Sequence, residues 1–165
     1  MFEFQYKLMD DETIGVVGYT GDEAVVTVPE QVDGVPVTIL ADGVFRGHPE
    51  ITELRLPDSI TDLGEFVFDG WENLRQLRLP ARLSALWGYT FVRCGLEELV
   101  LPDGLRSIPP FCFKDCKSLR RLVCGKGMKM IHAWAFDGCD ALSELSCGPS
   151  VQLHPQAFEH KELNT

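Results

Sequence analysis

Six cysteines and four histidines are the side chains of this 165-residue chain best suited to chemistry, and their spacing decides which chemistry. Cys94, Cys116 and Cys139 recur at near-constant intervals, as do Cys124 and Cys147, while Cys112 stands outside both series. No Cys-x-x-Cys occurs, and His48, His132, His154 and His160 form no pair with ligand spacing, so no zinc-type donor set is present. Nucleophilic catalysis needs a base placed beside the nucleophile. The chain contains no Gly-x-Ser-x-Gly, no His-Glu-x-x-His and no phosphate-binding glycine loop. The expectation is therefore a protein that is not an enzyme, with no catalytic, cofactor-binding or metal-binding residues.

The spacing of the cysteines is part of a larger pattern. Phe45, Phe68, Phe91, Phe113, Phe136 and Phe158 recur every 22 or 23 residues, and four more series keep the same step. Ile51, Leu74, Leu96, Leu119 and Leu142 form one, and Leu54, Leu77, Leu99, Leu122 and Leu145 follow three residues later. Leu56, Leu79, Leu101, Cys124 and Cys147 come two further on, and Pro57, Pro80, Pro102, Gly125 and Gly148 come next. The unit is Leu-x-x-Leu-x-Leu-Pro-x-x-Leu-x-x-Leu/Ile, four variable residues, then Phe. Leu-x-Leu alternation is a short strand with one buried face, ended by a proline or glycine. One unit cannot bury these side chains alone, so successive units must stack as coils whose equivalent residues form ladders about 4.8 Å apart.

On that ladder geometry, cysteines of adjacent coils have Cα atoms within about 5 Å, inside the range a disulfide permits. In-register side chains point in parallel, however, and these positions belong to small buried apolar residues. Six reduced core cysteines are expected. The first unit carries a five-residue insertion around Val32-Asp-Gly-Val-Pro-Val37, which should bulge from the first coil. Before it, two alternating or apolar runs flank the turn-like Asp10-Asp-Glu12 and read as a β-hairpin. Residues 1–23 are thus assigned to an acidic hairpin cap and 24–165 to the solenoid, within one domain overall. The chain ends at Leu163-Asn-Thr165, where another strand would begin, which makes end-to-end pairing of two copies through the C-terminal edge a second expectation.

These repeats resemble the BspA-like leucine-rich repeats of bacterial and some protist surface proteins. The likeness is best in Leu54-Arg-Leu-Pro-Asp-Ser-Ile-Thr-Asp-Leu-Gly-Glu-Phe-Val-Phe68 and in Ile131-His-Ala-Trp-Ala-Phe-Asp-Gly-Cys139, and it covers about residues 24–163. Trp87, Pro109 and His132 replace the glycine usual after the Leu/Ile position, and Gly125 and Gly148 replace proline. The resemblance implies an α/β solenoid, mainly β, a right-handed superhelix of about six coils of 22–23 residues. It also implies a protein-interaction or adhesion module, secreted or at the cell surface if the chain is a fragment. The N-terminal residues lack the basic start and apolar run of a secretory signal, which at face value places the chain in the cytoplasm.

Composition narrows the partner. The formal charge is −10, from 15 bases and 25 acids, which disfavours nucleic acid, whose affinity comes from cations on the protein. Residues 1–50 hold ten acids and two bases, a net of −8, leaving −2 for the remainder. No run approaches the roughly 18 apolar residues of a membrane span, so membrane insertion is not expected.

Two sets of outward residues are candidates for contacting an unknown protein partner. Arg55, Arg78, Val100 and Val123 occupy one ladder beside the Leu-x-Leu strands, two like charges next to an apolar spot, which suits an acidic and partly apolar surface. Phe66, Tyr89, Phe111 and Trp134 stand two residues before the core Phe in four consecutive coils, a stripe that either stabilises the stack or forms a contact surface. Six strands of three or four residues present only about 240–380 Å². A specific interface needs near 800 Å² from each side. A binding face must therefore recruit more than the strands.

Overall fold

A computed structural model describes residues 3–158. The repeat folds as the expected mainly-β solenoid, and among the described residues the coils consist of strands and turns with no helix. Each coil contributes one rung to a Leu-x-Leu flank and one to a second flank, and then closes with a turn that carries the core Phe.

On the Leu-x-Leu flank Val25–Thr27 pairs in parallel with Glu53–Arg55. Further along, Glu98–Val100, Arg121–Val123 and Glu144–Ser146 pair in register, so that Leu99, Leu122 and Leu145 form one ladder. The rung between these two sheets, residues 75–79, belongs to no strand. On the second flank Val35–Leu40, Asp62–Leu63 and Ala85–Leu86 join in one sheet, and Ser107–Ile108, Met130–Ile131 and Gln152–Leu153 in another. The closing turns are tied coil to coil by the core Phe amides: Phe68 N–H donates to Thr90 O (3.1 Å), Phe91 N–H to Cys112 O (2.9 Å) and Phe113 N–H to Ala135 O (3.0 Å).

The core is a column of leucines beside a column of rings. Phe68, Phe91, Phe113, Phe136 and Phe158 stack at centroid distances of 5.0, 5.0, 5.6 and 5.1 Å. The column stops short of Phe45, because the fully buried Trp71 meets Phe45 edge-on at 5.4 Å and Phe68 at 5.2 Å. Burying one such Leu or Phe side chain is worth about 1.5–3 kcal/mol, so the repeated positions dominate stability.

The hairpin Phe4–Leu8 and Ile14–Tyr19 is antiparallel, and Ile14–Tyr19 continues in parallel onto Val35–Leu40. The hairpin thus extends the second flank by two strands. The insertion in the first coil is a second, smaller hairpin, Gln31–Val32 against Val35–Leu40. Its turn residues Asp33 and Gly34 have φ of +49° and +81°, the paired left-handed conformation that Asp-Gly favours in two-residue β-turns. The open strand expected at Leu163 lies outside the described residues.

One expectation is corrected. Cys124 and Cys147 form a disulfide, while Cys94, Cys112, Cys116 and Cys139 are free and buried. The two bonded residues directly follow the in-register pair Val123 and Ser146, which sets their Cα atoms 4.9 Å apart. Parallel side chains at that separation are still close enough to join.

Candidate functional site

The Leu-x-Leu flank is hollowed at its unpaired rung. A cleft of about 1060 Å³ is lined by Thr52, Glu53 and Arg55 on one wall and Glu98 and Val100 on the other. Arg75, Gln76 and Arg78 lie between, and the leucines of all three coils also line it. Elsewhere on this flank the residue after each strand ties its rung to the next: Val28 N–H donates to Arg55 O at 2.9 Å, Leu101 N–H to Val123 O at 2.8 Å and Cys124 N–H to Ser146 O at 2.8 Å. Equivalent bonds from Leu56 to Arg78 and from Leu79 to Val100 are not made, and residues 76–79 take no part in any backbone–backbone hydrogen bond.

Two departures from the repeat bracket this rung. Trp71 stands where Cys94, Cys116 and Cys139 stand in later coils, and its bulk wedges between ring layers just upstream. Downstream, Cys94-Gly-Leu96 is one residue shorter than the Cys-x-x-Leu of the next two coils. The shortened turn pulls Gly95 so close to the preceding coil that a Cβ there would lie 2.1 Å from the Glu72 carbonyl oxygen. At its start the rung is still tied to the coil after it, Glu97 N–H donating to Arg75 O at 3.1 Å as Arg120 N–H does to Glu97 O, and the ladder bonds are missing only from residue 76 onward.

The charged groups of the cleft are held loosely. Arg55 Nε lies 2.7 Å from Glu53 Oε1 and Arg78 Nη2 3.1 Å from Asp58 Oδ1, with the two arginine side chains 63% and 70% exposed. The Ala81 amide, followed by the Arg78 charge, holds the Asp58 carboxyl below the usual carboxylate range. Arg75 donates to the Gly95 carbonyl (3.2 Å), and Glu98 on the far wall is engaged by Arg120 at 2.8 Å. Exposed pairs of this kind contribute about 0–1 kcal/mol, so these guanidinium groups can change partners at little cost.

Three of the four residues of the expected Arg–Val ladder, Arg55, Arg78 and Val100, line the cleft, and Val100 is 61% exposed. Val123 pairs with Val100 on the next rung but lies outside the lining. Arg75 and Gln76 were not singled out from sequence, because charges of mixed sign on an outward ladder read as an ordinary solvated face. The available signal was the coincidence of Trp71 and the shortened Cys94-Gly-Leu96 on either side of that rung.

The aromatic stripe lies apart from the cleft. Phe66, Tyr89, Phe111 and Trp134 stack on one another at 5.1, 5.2 and 5.5 Å with interplanar angles of 9°, 9° and 17°. The Arg46 guanidinium sits 4.4 Å over the Phe66 ring and Lys114 Nζ 5.5 Å from the Phe111 centroid. The rings are half-buried and use their faces on each other. All four residues hold left-handed backbone, with φ of +58° to +62°.

Other polar clusters serve the fold. The buried Asp69 carboxylate accepts from Arg46 Nε at 2.9 Å and Arg93 Nη2 at 2.6 Å, joining three coils. Trp87, 50% exposed, donates its indole N–H to Asp62 Oδ1 at 2.7 Å beside a second hollow of about 350 Å³. Burial pushes the Cys94 thiol up to about 12 and raises those of Cys112 and Cys116, the opposite of what a cysteine nucleophile requires. Among the described residues no three His, Cys, Asp or Glu side chains are grouped to hold a metal ion.

Stacked coils of Leu-x-x-Leu-x-Leu with a phenylalanine column define a leucine-rich-repeat β-solenoid. More narrowly, six copies of the BspA type leucine rich repeat region match residues 38–164, and the chain belongs to that family. Its fold is similar to the crystal structure of a T. pallidum leucine rich repeat protein, with a TM-score of 0.82 and 30% identity over 91% of this chain and 82% of that one. It is also similar to a leucine rich cell surface protein of Faecalibacterium prausnitzii, with a TM-score of 0.63 and 22% identity over 94% of this chain and 57% of that one. A leucine-rich repeat protein of Bacteroides ovatus gives a TM-score of 0.68 at 21% identity over 96% of this chain and 49% of that one. This chain thus spans about half the length of the last two. Comparison with curated proteins finds none that matches.

Proposed function

We propose that the chain is a non-catalytic protein-binding module that meets its partner at the cleft of the Leu-x-Leu flank. The observation that carries this reading is the cleft itself, about 1060 Å³ opened across three coils and walled by Arg55, Arg78 and Val100. The cleft would be the centre of the contact, and the turns beside it would have to supply the rest of the roughly 800 Å² that a specific interface needs from each side. Leucine-rich repeats generally mediate protein interaction, and six of them make up most of this chain. Attachment to a cell surface, as in the name of the Faecalibacterium protein, is a further element of the proposal.

The test places a photo-reactive benzoyl-phenylalanine at Val100, with a control at the exposed Val17 on the hairpin. Irradiation in extract of the native source should yield a discrete protein adduct from the Val100 form, absent from the Val17 form and lost on adding Arg78→Glu. Equal labelling from both positions, or adducts indifferent to Arg78→Glu, would refute the cleft as the binding face.

A further inference from the structure

We propose that the outer edge of the N-terminal hairpin strand Phe4–Leu8 takes up an extended basic segment of another protein as an added strand, its cationic side chains against the acids of the hairpin and its apolar ones against Tyr6 and Leu8. This surface is separate from the cleft of the Leu-x-Leu flank, and neither reading depends on the other.

The backbone makes the first argument. Phe4–Leu8 is the terminal strand of a six-stranded sheet, and among the described residues it pairs only with Ile14–Tyr19. In an antiparallel ladder alternate residues turn both main-chain groups toward the partner strand, and the residues between turn them away. Met9 N–H donates to Thr13 O at 2.8 Å and Thr20 N–H to Glu3 O at 3.0 Å, which marks the odd-numbered residues as those facing the inner strand. The register shift between Gln5 and Tyr6 places its extra residue, Val17, on the inner strand, so the alternation holds along the whole edge. The main-chain groups of Tyr6 and Leu8 therefore face outward, and among the described residues no backbone–backbone hydrogen bond takes them up. Their side chains, 39% and 63% exposed, share a face with the buried Val16 and Ile14 that they pair with, so the inner face of the sheet runs past the core and ends on bare apolar surface. Val17 is exposed on the other face, away from this apolar side. A strand laid along the edge pairs with both main-chain positions and covers both side chains.

The charge selects the occupant. Glu3 stands exposed just before the edge strand and Asp10, Asp11 and Glu12 just after it, in a region of ten acids against Lys7 and Arg46. Glu3 and Asp11 accept from the neutral hydroxyls of Thr20 and Thr13, and among the described residues none of the four acids has an ion-pair partner. A second copy would set one −8 end against another, whereas Lys or Arg side chains on an added strand meet carboxylates at both of its ends. The extended chain from Glu3 to Asp10 spans roughly 23 Å, the reach of a heptamer. Lys7, the one cation of the strand, points to the face opposite Tyr6 and Leu8 and leaves the apolar positions clear.

The experiment uses the full chain and capped synthetic peptides, followed by fluorescence anisotropy at low salt. The parent is the heptamer Lys-Val-Lys-Val-Lys-Val-Lys, accompanied by one form N-methylated at the valines, one N-methylated at the lysines, and a glutamate-for-lysine counterpart. The parent should bind and the glutamate form should not. An added strand turns only one alternating set of its amides to the edge, so one methylated form should bind at least tenfold more weakly and the other within about twofold of the parent. Leu8→Pro removes an outward donor and keeps the bonds to the inner strand, and it should abolish binding with an unchanged circular dichroism spectrum. Should that variant unfold the hairpin, the two methylated peptides apply the same test to the unaltered chain. Asp10→Asn with Glu12→Gln should weaken the parent severalfold, and saturation with the parent should slow hydrogen exchange at Tyr6 and Leu8 and not at Glu98–Val100. Equal binding of the two methylated forms would show that charge alone holds the peptide and would overturn strand addition. Binding of the glutamate form, no binding of the parent, or protection at Glu98–Val100 in place of Tyr6 and Leu8 would overturn the whole proposal. So would a dimer of the free chain, seen by light scattering, that the parent dissociates, since the edge would then belong to a second copy.

Discussion

Four bulky residues in the left-handed backbone region are an expense the stack must offset. Phe66, Tyr89, Phe111 and Trp134 hold φ of +58° to +62°, and Gly43 occupies the same place in the first coil at +64°. Each non-glycine residue there costs roughly 1–2 kcal/mol in backbone sterics. Ring stacking at about 5 Å returns about 0.5–1.5 kcal/mol per pair on top of buried area. It follows that Tyr89→Gly, which loses the ring but relieves the backbone, will be more stable than Tyr89→Ala by about 1 kcal/mol in urea unfolding, the reverse of their usual order. An alanine variant as stable as the glycine one would show that the strain is absent. The ring spacing was legible in the sequence, but the handedness was not, since periodicity reports which side chains align and not how the backbone turns; Gly43 was the single hint. A second residue-level pattern was hidden by chemistry. Trp71 donates its indole N–H to Phe45 O at 3.0 Å, and the thiols of Cys116 and Cys139 lie 2.9 Å from Phe91 O and Phe113 O. Trp and Cys do the same work, tying one coil to the Phe of the coil before. The four free cysteines are buried, and burial raises the thiols of Cys94, Cys112 and Cys116, so at pH 8 the native protein should release no colour with a disulfide reagent. Denaturation should expose four thiols and subsequent reduction six. A native thiol reacting at the free-cysteine rate would contradict the burial of that ladder.

At the scale of elements, the strand pattern was read correctly where the repeat is regular and failed where two irregularities meet. Leu77 and Leu79 carry the same alternation as Leu99 and Leu101, and both are buried as expected, yet no strand forms. Alternation specifies which face is buried, while pairing requires that neighbouring rungs sit at the right height and offset. The turns set that offset, and the two departures from the repeat, Trp71 and the shortened turn at Gly95, flank this rung. The insertion shows the opposite case, since Asp33-Gly34 is a turn signal strong enough to make a hairpin out of an expected bulge. The broken rung has a measurable consequence. In hydrogen exchange, the amides of residues 76–79 should exchange at least tenfold faster than those of Leu122, Val123 and Cys124, although Leu77 and Leu79 have buried side chains. Equal protection would mean that the ladder is continuous in solution and that the cleft closes.

For the molecule as a whole, charge and repeat architecture combine. In a stack of coils each unit contacts only its neighbours, so a local perturbation is felt locally instead of being shared by a single core. The first 50 residues hold ten acids against Lys7 and Arg46, and the hairpin turn alone carries Asp10, Asp11 and Glu12. The later coils are close to neutral and carry exposed ion pairs such as Arg121 with Glu144 at 3.2 Å and Lys117 with Asp140 at 2.9 Å. Salt acts on these two regions with opposite sign, because it screens repulsion in the first and attraction in the second. The Debye length falls from about 30 Å at 0.01 M to about 8 Å at 0.15 M, enough to separate charges across a hairpin. Raising sodium chloride over that range should therefore increase hydrogen-exchange protection in Phe4–Leu8 and Ile14–Tyr19 and leave Arg121–Val123 unchanged or slightly less protected. Uniform stabilisation along the whole solenoid would show that salt acts through apolar burial, and the uneven distribution of the −10 charge would then have no bearing on the stability of the fold.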